Sequence, residues 1–129
     1  MNKEAGVWID HKQAFIVFVG EGAEASRRID SGMEKHVRYS GHAASQEGTA
    51  DDRRDRQFAA HLATYYDEVI AHLHDAKSIF IFGPGEAKGE FRKRLVSKGL
   101  EGIIVGVETA DKMTEHQIAA KVRQHYQKS

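Results

Sequence analysis

Apolar positions alternate at the start of the chain and settle into helical spacing further on. Val7, Trp8 and Ile9 make a β-branched and aromatic run from Gly6 to Asp10, the polar stretch Asp10, His11, Lys12 and Gln13 interrupts it, and Ala14 to Val19 resumes it. Two strands joined by a short turn are predicted. Gly20 and Gly22 make the next break, and the polar stretch from Ala25 to Asp30 reads as an edge strand. From 31 to 50 glycines, serines and histidines accumulate with little apolar periodicity beyond Val37 and Tyr39. A long mobile loop is expected there, because Ser40 to Ala50 has no apolar anchor.

The pattern changes at Asp51. Phe58, Leu62, Tyr65, Val69 and Leu73 step by four, three, four and four, which is one stripe of a helix running to Ala76, with Asp51 and Asp52 at the positive end of its dipole. At 1.5 Å per residue such a helix is roughly 37 Å long and crosses the domain. Ser78 to Phe82 is a near-continuous apolar run ended by Gly83-Pro84-Gly85, as expected of an inner strand covered on both faces. A helix follows from about Glu86 to Lys98, with Phe91 and Leu95 inward and Gly99 as its stop. Gly102 to Val107 reads as a second inner strand. Thr114 with Gln117 forms a capping box for a last helix whose Ile118, Val122 and Tyr126 lie one turn apart.

This order, βββ-α-β-α-β-α, is an α/β arrangement. The later strands return through helical crossovers and join as parallel strands, giving a ribonuclease-H-like mixed five-stranded sheet flanked by helices. With 129 residues, 40% of them hydrophobic, one domain over 1–129 is expected, large enough to bury a core without staples. Nineteen basic side chains balance nineteen acidic ones, so any attraction to nucleic acid is local rather than global. The absence of cysteine excludes disulfides, thiolate metal sites and cysteine nucleophiles. No apolar run approaches the length of a membrane span, and the first twenty residues lack the uninterrupted apolar core of a signal peptide. A cytoplasmic location with no membrane partner is expected.

Four features could carry chemistry. Asp10, Asp30 and Glu108 stand at predicted strand ends, where carboxylates could hold divalent ions for nuclease chemistry; the plainer reading makes them solvated turn residues, since no second acid stands inside the first strand. The eight histidines are scattered, and His72 and His74, two positions apart, would diverge on a helix rather than share a metal. No metal site or cofactor is expected. Phe82 to Phe91, FGPGEAKGEF, is a strand, a glycine turn and a helix start with Lys88 in reach, where free amides at Gly83 and Gly85 could hold an anion; the alternative is a tight connection beside a solvated lysine. Finally, Arg53, Arg54 and Arg56 follow the long loop, and Lys88, Arg92, Lys93 and Arg94 crowd the second helix, within a C-terminal part holding ten basic against six acidic side chains. Two basic spots could grip phosphates.

The pieces RRDRQFAAHLATYYDEVIAHL after the long loop, SIFIFGPGEAKGEF, and VETADKMTEHQI before the last helix together resemble the central domain of the class-one peptide-release factors of eukaryotes and archaea and of the ribosome-rescue factor Pelota, with small bacterial relatives of that domain. The resemblance spans nearly the whole chain. It implies a fold that docks on ribosomal or structured RNA. In release factors the long loop carries a Gly-Gly-Gln tripeptide, whereas here Gln46 is preceded by Ala44 and Ser45, so the backbone freedom that places the glutamine amide is missing. The resemblance therefore implies a non-catalytic RNA- or ribosome-associated domain acting in translation or its stress control. A divalent-metal nuclease built on Asp10, or a protein-binding module using the loop, are the alternatives from other classes.

Overall fold

The computed structural model describes residues 3–20, 23–32 and 49–127. Its elements are β1 (Lys3–Ile9), β2 (Gln13–Gly20), β3 (Ala23–Asp30), α1 (Thr49–Ala71), β4 (Ala76–Gly83), α2 (Ala87–Ser97), a short 3-10 turn (Glu101–Ile103), β5 (Ile104–Thr109) and α3 (Glu115–Gln127). Within the expected loop, Ser31 and Gly32 continue from β3 while Thr49 and Ala50 already belong to α1. The expected mobility of that loop, and Ala44, Ser45 and Gln46 with it, lie outside the described residues.

The strands form one mixed sheet in the order β3-β2-β1-β4-β5. β1 pairs antiparallel with β2 and parallel with β4, β2 pairs antiparallel with β3, and β4 pairs parallel with β5. Strand alternation sends Val7, Ile9, Ile16, Ile29, Ile79 and Ile81 to one face, where they bury Leu62, Tyr65, Tyr66 and Val69 of α1, Leu73 just beyond it, and Phe91 and Leu95 of α2. Trp8, Val17, Phe80 and Phe82 point to the other face, under Ile118 and Val122 of α3. The helical stripe read in the sequence is the buried face of α1. Gly6 lets α3 lie close to β1, since a Cβ there would stand 2.3 Å from a methyl of Val122. The capping box is made in both directions: Thr114 Oγ1 accepts the Gln117 N–H at 3.1 Å, and Gln117 Oε1 accepts the Thr114 N–H at 2.9 Å.

Two boundaries differ from the reading of the sequence. α1 ends at Ala71 rather than Ala76, because tight turns, in which His72 N–H reaches Val69 O and Leu73 N–H reaches Ile70 O, bring the chain round into β4. Leu73 is buried all the same. The strand read as inner from Gly102 to Val107 begins at Ile104 and is the sheet edge. Val105 and Val107 are 51% and 37% exposed, since among the described residues no further strand or helix covers them.

Candidate functional site

β1, β4 and β5 run parallel, so their carboxyl ends meet at one end of the sheet, the position where open α/β sheets place ligands. The β1–β2 turn is built by Asp10, whose Oδ1 accepts the N–H groups of Lys12 and Gln13, both at 2.8 Å. This is the strand-end role its position predicts. Ser31 closes the exit of β3 onto the same turn: its N–H reaches Lys12 O at 2.8 Å and its hydroxyl reaches His11 O at 2.7 Å. α1 joins from the side. Tyr65 donates its hydroxyl to Asp10 O at 2.9 Å, His61 Nε2 donates to Ser31 O, and Phe58 meets the His11 ring edge-on.

The junction of these elements is one carboxylate. Glu90 Oε1, in the first turn of α2, accepts the Tyr66 hydroxyl at 2.7 Å and His11 Nε2 at 2.9 Å, so the turn, α1 and α2 are tied at a single oxygen. Burial, with the Glu90 hydrogen bond second, pushes the Tyr66 phenol well above the usual tyrosine range, and burial with the nearby Asp10 charge does the same to Tyr65. Both phenols stay protonated donors at any physiological pH. No local motif announces this cluster; its members lie 24 and 79 positions apart.

The glycine turn stands beside it. Gly83 has φ +152° and Gly85 φ +65°, and a Cβ at Gly83 would lie 2.3 Å from Ile9 O, whereas at Gly85 it would meet nothing. Lys88 folds its ammonium back onto Gly85 O. At about 100° per residue, the basic residues of α2 divide into two sets. Arg94 faces α1 and grips Asp67 with two bonds of 2.7 Å, joined by Lys98 Nζ at 3.7 Å. Lys88, Arg92 and Lys93 occupy the opposite arc, where Arg92 makes one loose contact of 3.7 Å to Glu101 and Lys93 is exposed without a partner among the described residues. Arg56 is exposed near the start of α1; the side chains of Arg53 and Arg54 lie outside the described residues.

Of the predicted α2 cations, Lys88 stands at the glycine turn, Arg92 reaches toward Glu101 in the turn before β5, and Arg94 belongs to the α1–α2 contact. Among the described residues no three His, Asp or Glu side chains converge as metal ligands, and no helix is long and apolar enough to cross a membrane.

No protein-family model matches the sequence, and no curated protein matches it. Solved structures do. The chain is similar to the Pelota protein of Thermoplasma acidophilum at 17% identity and TM-score 0.60, over 99% of this chain and 32% of that one. It has the Pelota and release-factor fold. An archaeal translation termination factor, aRF1, shares that fold at 14% identity and TM-score 0.50, over 98% of this chain and 39% of its own. The chain therefore spans 32% to 39% of the length of these relatives in fold. Within the release-factor fold, the segments that carried the resemblance are α1, the β4–turn–α2 unit and the entry to α3.

The Arg94–Asp67 contact has a pH signature. The Arg94 guanidinium, foremost by hydrogen bonding, holds the Asp67 carboxyl below the usual carboxylate range. A carboxylate with a depressed folded-state pKa contributes stability that is present above its unfolded value, about 3.9, and is lost as pH falls through the folded value. Both side chains are about a third exposed, so the contribution is small. Asp67→Asn should lower the melting temperature slightly at pH 7, and the gap to wild type should close on acidification below pH 4; a gap that is constant with pH would show that the ion pair contributes nothing.

Proposed function

We propose that this chain is an RNA-docking domain that associates with the ribosome in translation or translational stress control, without hydrolysing peptidyl-tRNA. The observation that carries this reading is the outward arc of Lys88, Arg92 and Lys93 on α2, with Lys88 beside the Gly83-Pro84-Gly85 turn, on a fold held in common with a translation termination factor. Three cations on one helix face suit a phosphate backbone. The Arg53, Arg54 and Arg56 group at the start of α1 supplies a second spot in the sequence. Ala44 and Ser45 before Gln46 support docking without ester hydrolysis, because side chains replace the glycines whose freedom the reaction requires.

Sucrose-gradient sedimentation of lysate tests this directly. The chain should travel with ribosomal particles at low salt and leave them as salt rises; three phosphate contacts on single-stranded RNA, at about 0.7 each in the log–log slope, weaken binding roughly twentyfold for a fourfold rise in salt. Sedimentation at the top of the gradient at all salt concentrations would overturn the reading. A release assay should show no hydrolysis of peptidyl-tRNA, and hydrolysis abolished by Gln46→Ala would overturn the non-catalytic part.

A further inference from the structure

On the sheet face opposite α1 and α2, a cavity of about 140 Å³ opens between the first half of α3 and strands β2 and β3. Its floor is apolar, formed by Val17, Ile118 and Ala119, and Phe15 walls one side. Ser26, Arg27, Arg28 and Glu115, all exposed, complete its lining at the rim, with Arg27 opposite Ile16 and so turned to the other face of the sheet. The register explains why Ser26 and Arg28 gather: Phe15 lies opposite Arg28 and Val17 opposite Ser26, so these two residues of the edge strand share the α3 face. The guanidinium carbon of Arg28 sits 5.9 Å from the centre of the Phe15 ring, and Ser26 and Glu115 have no side-chain partner among the described residues.

We propose that this cavity holds the six-membered ring of one unstacked guanine, leaving sugar and phosphate outside. Size decides between a ring and a whole nucleotide: an apolar cavity of about 150 Å³ takes one benzene molecule. The walls decide for a planar ring, because Phe15 offers a flat π surface of the kind that stacks on bases. The rim decides which ring. The exposed Glu115 carboxylate can accept two donors at once, and guanine presents N1–H and N2–H₂ side by side on one edge. Adenine and cytosine set their amine beside an unprotonated ring nitrogen that faces Glu115 with a lone pair, and uracil flanks its single N–H with two carbonyls. Arg28 can then donate to guanine O6, the commonest pairing of arginine with this base; its contact with Asp30, 3.7 Å long between exposed groups, is readily exchanged. For a base within an RNA strand the proposal rests on the RNA-docking reading above; free guanosine monophosphate offers the same ring.

Labelled hexaribonucleotides UUGUUU, UUAUUU and UUUUUU, titrated with the purified chain by fluorescence anisotropy, test this. The guanine hexamer should bind about tenfold tighter than the other two, the discrimination of one good two-point base contact. Glu115→Gln should reduce that preference, and Ala119→Leu, which fills the cavity without touching the rim groups, should abolish it. Guanosine monophosphate should compete; its binding without any hexamer binding would make the free nucleotide the source and uphold the ring assignment. Equal affinity for the three hexamers, a preference untouched by both variants, or binding of neither hexamer nor nucleotide would overturn the proposal. Co-sedimentation with ribosomes judges the docking reading separately, since it depends on α2 cations on the other face.

Discussion

Trp8→Ala should cost about 3–5 kcal/mol of unfolding free energy, the range for removing a large aromatic from a core, read as a lower urea midpoint at unchanged slope. Trp8 is fully buried on the α3 face of β1. That face is the thinner half of the core: its buried set is Trp8, Val17, Phe80, Phe82, Ile118 and Val122, and Trp8 is the largest of them. The surroundings are held by the sheet and cannot collapse into the void, so the loss includes a cavity as well as transfer. The indole also has a polar task. Its Nε1 donates to Asp111 O at 3.2 Å, pinning the link from β5 to α3, so amide exchange at 110–114 should speed up beyond the global effect. Trp8→Phe should keep much of the packing and lose the anchor. A loss under about 1 kcal/mol for the alanine variant would contradict this packing account.

Gly83→Ala should be destabilising by about 3 kcal/mol, at the top of the range for a single strained residue, while Gly85→Ala two positions on should cost about 1–2 kcal/mol. Both glycines have positive φ, so conformation alone does not separate them. Space does. At Gly83 a methyl would lie 2.3 Å from the Ile9 carbonyl oxygen, and backbone held in the β1–β2 ladder cannot give way, whereas at Gly85 the methyl meets nothing. Equal melting temperatures for the two variants would refute the close approach of the turn to β1.

The sequence made β1, β2, β4 and the helical faces readable because each carries its period in adjacent residues: Phe58 to Leu73 shows its stripe, and Thr114 with Gln117 its cap. β5 was misjudged because Ile103-Ile104-Val105-Gly106-Val107 has the composition of an inner strand, and composition does not say whether another strand lies beyond. Ile103 and Ile104 pack against the core beneath α2, and the valines after them are left at the edge. The candidate site was legible where it is local, in the glycine turn and the run of α2 cations. Arg94 differs from its neighbours only through Asp67, 27 positions away, and the joining of His11, Tyr66 and Glu90 requires three elements to be folded against one another before it exists. The cavity between β3 and α3 depends likewise on strand register, which pairs Phe15 with Arg28 and which no local pattern displays.

Binding of the chain to ribosomes across a salt series, for wild type and for Lys88→Ala combined with Arg92→Ala, tests the docking account most directly. Among the described residues Lys88 bonds a nearby carbonyl and Arg92 makes one loose exposed ion pair, so the double variant should fold with an unchanged melting temperature. Losing two phosphate contacts should flatten the slope of log affinity against log salt by about 1 to 1.5 units. Identical slopes and affinities for the two proteins would contradict the account.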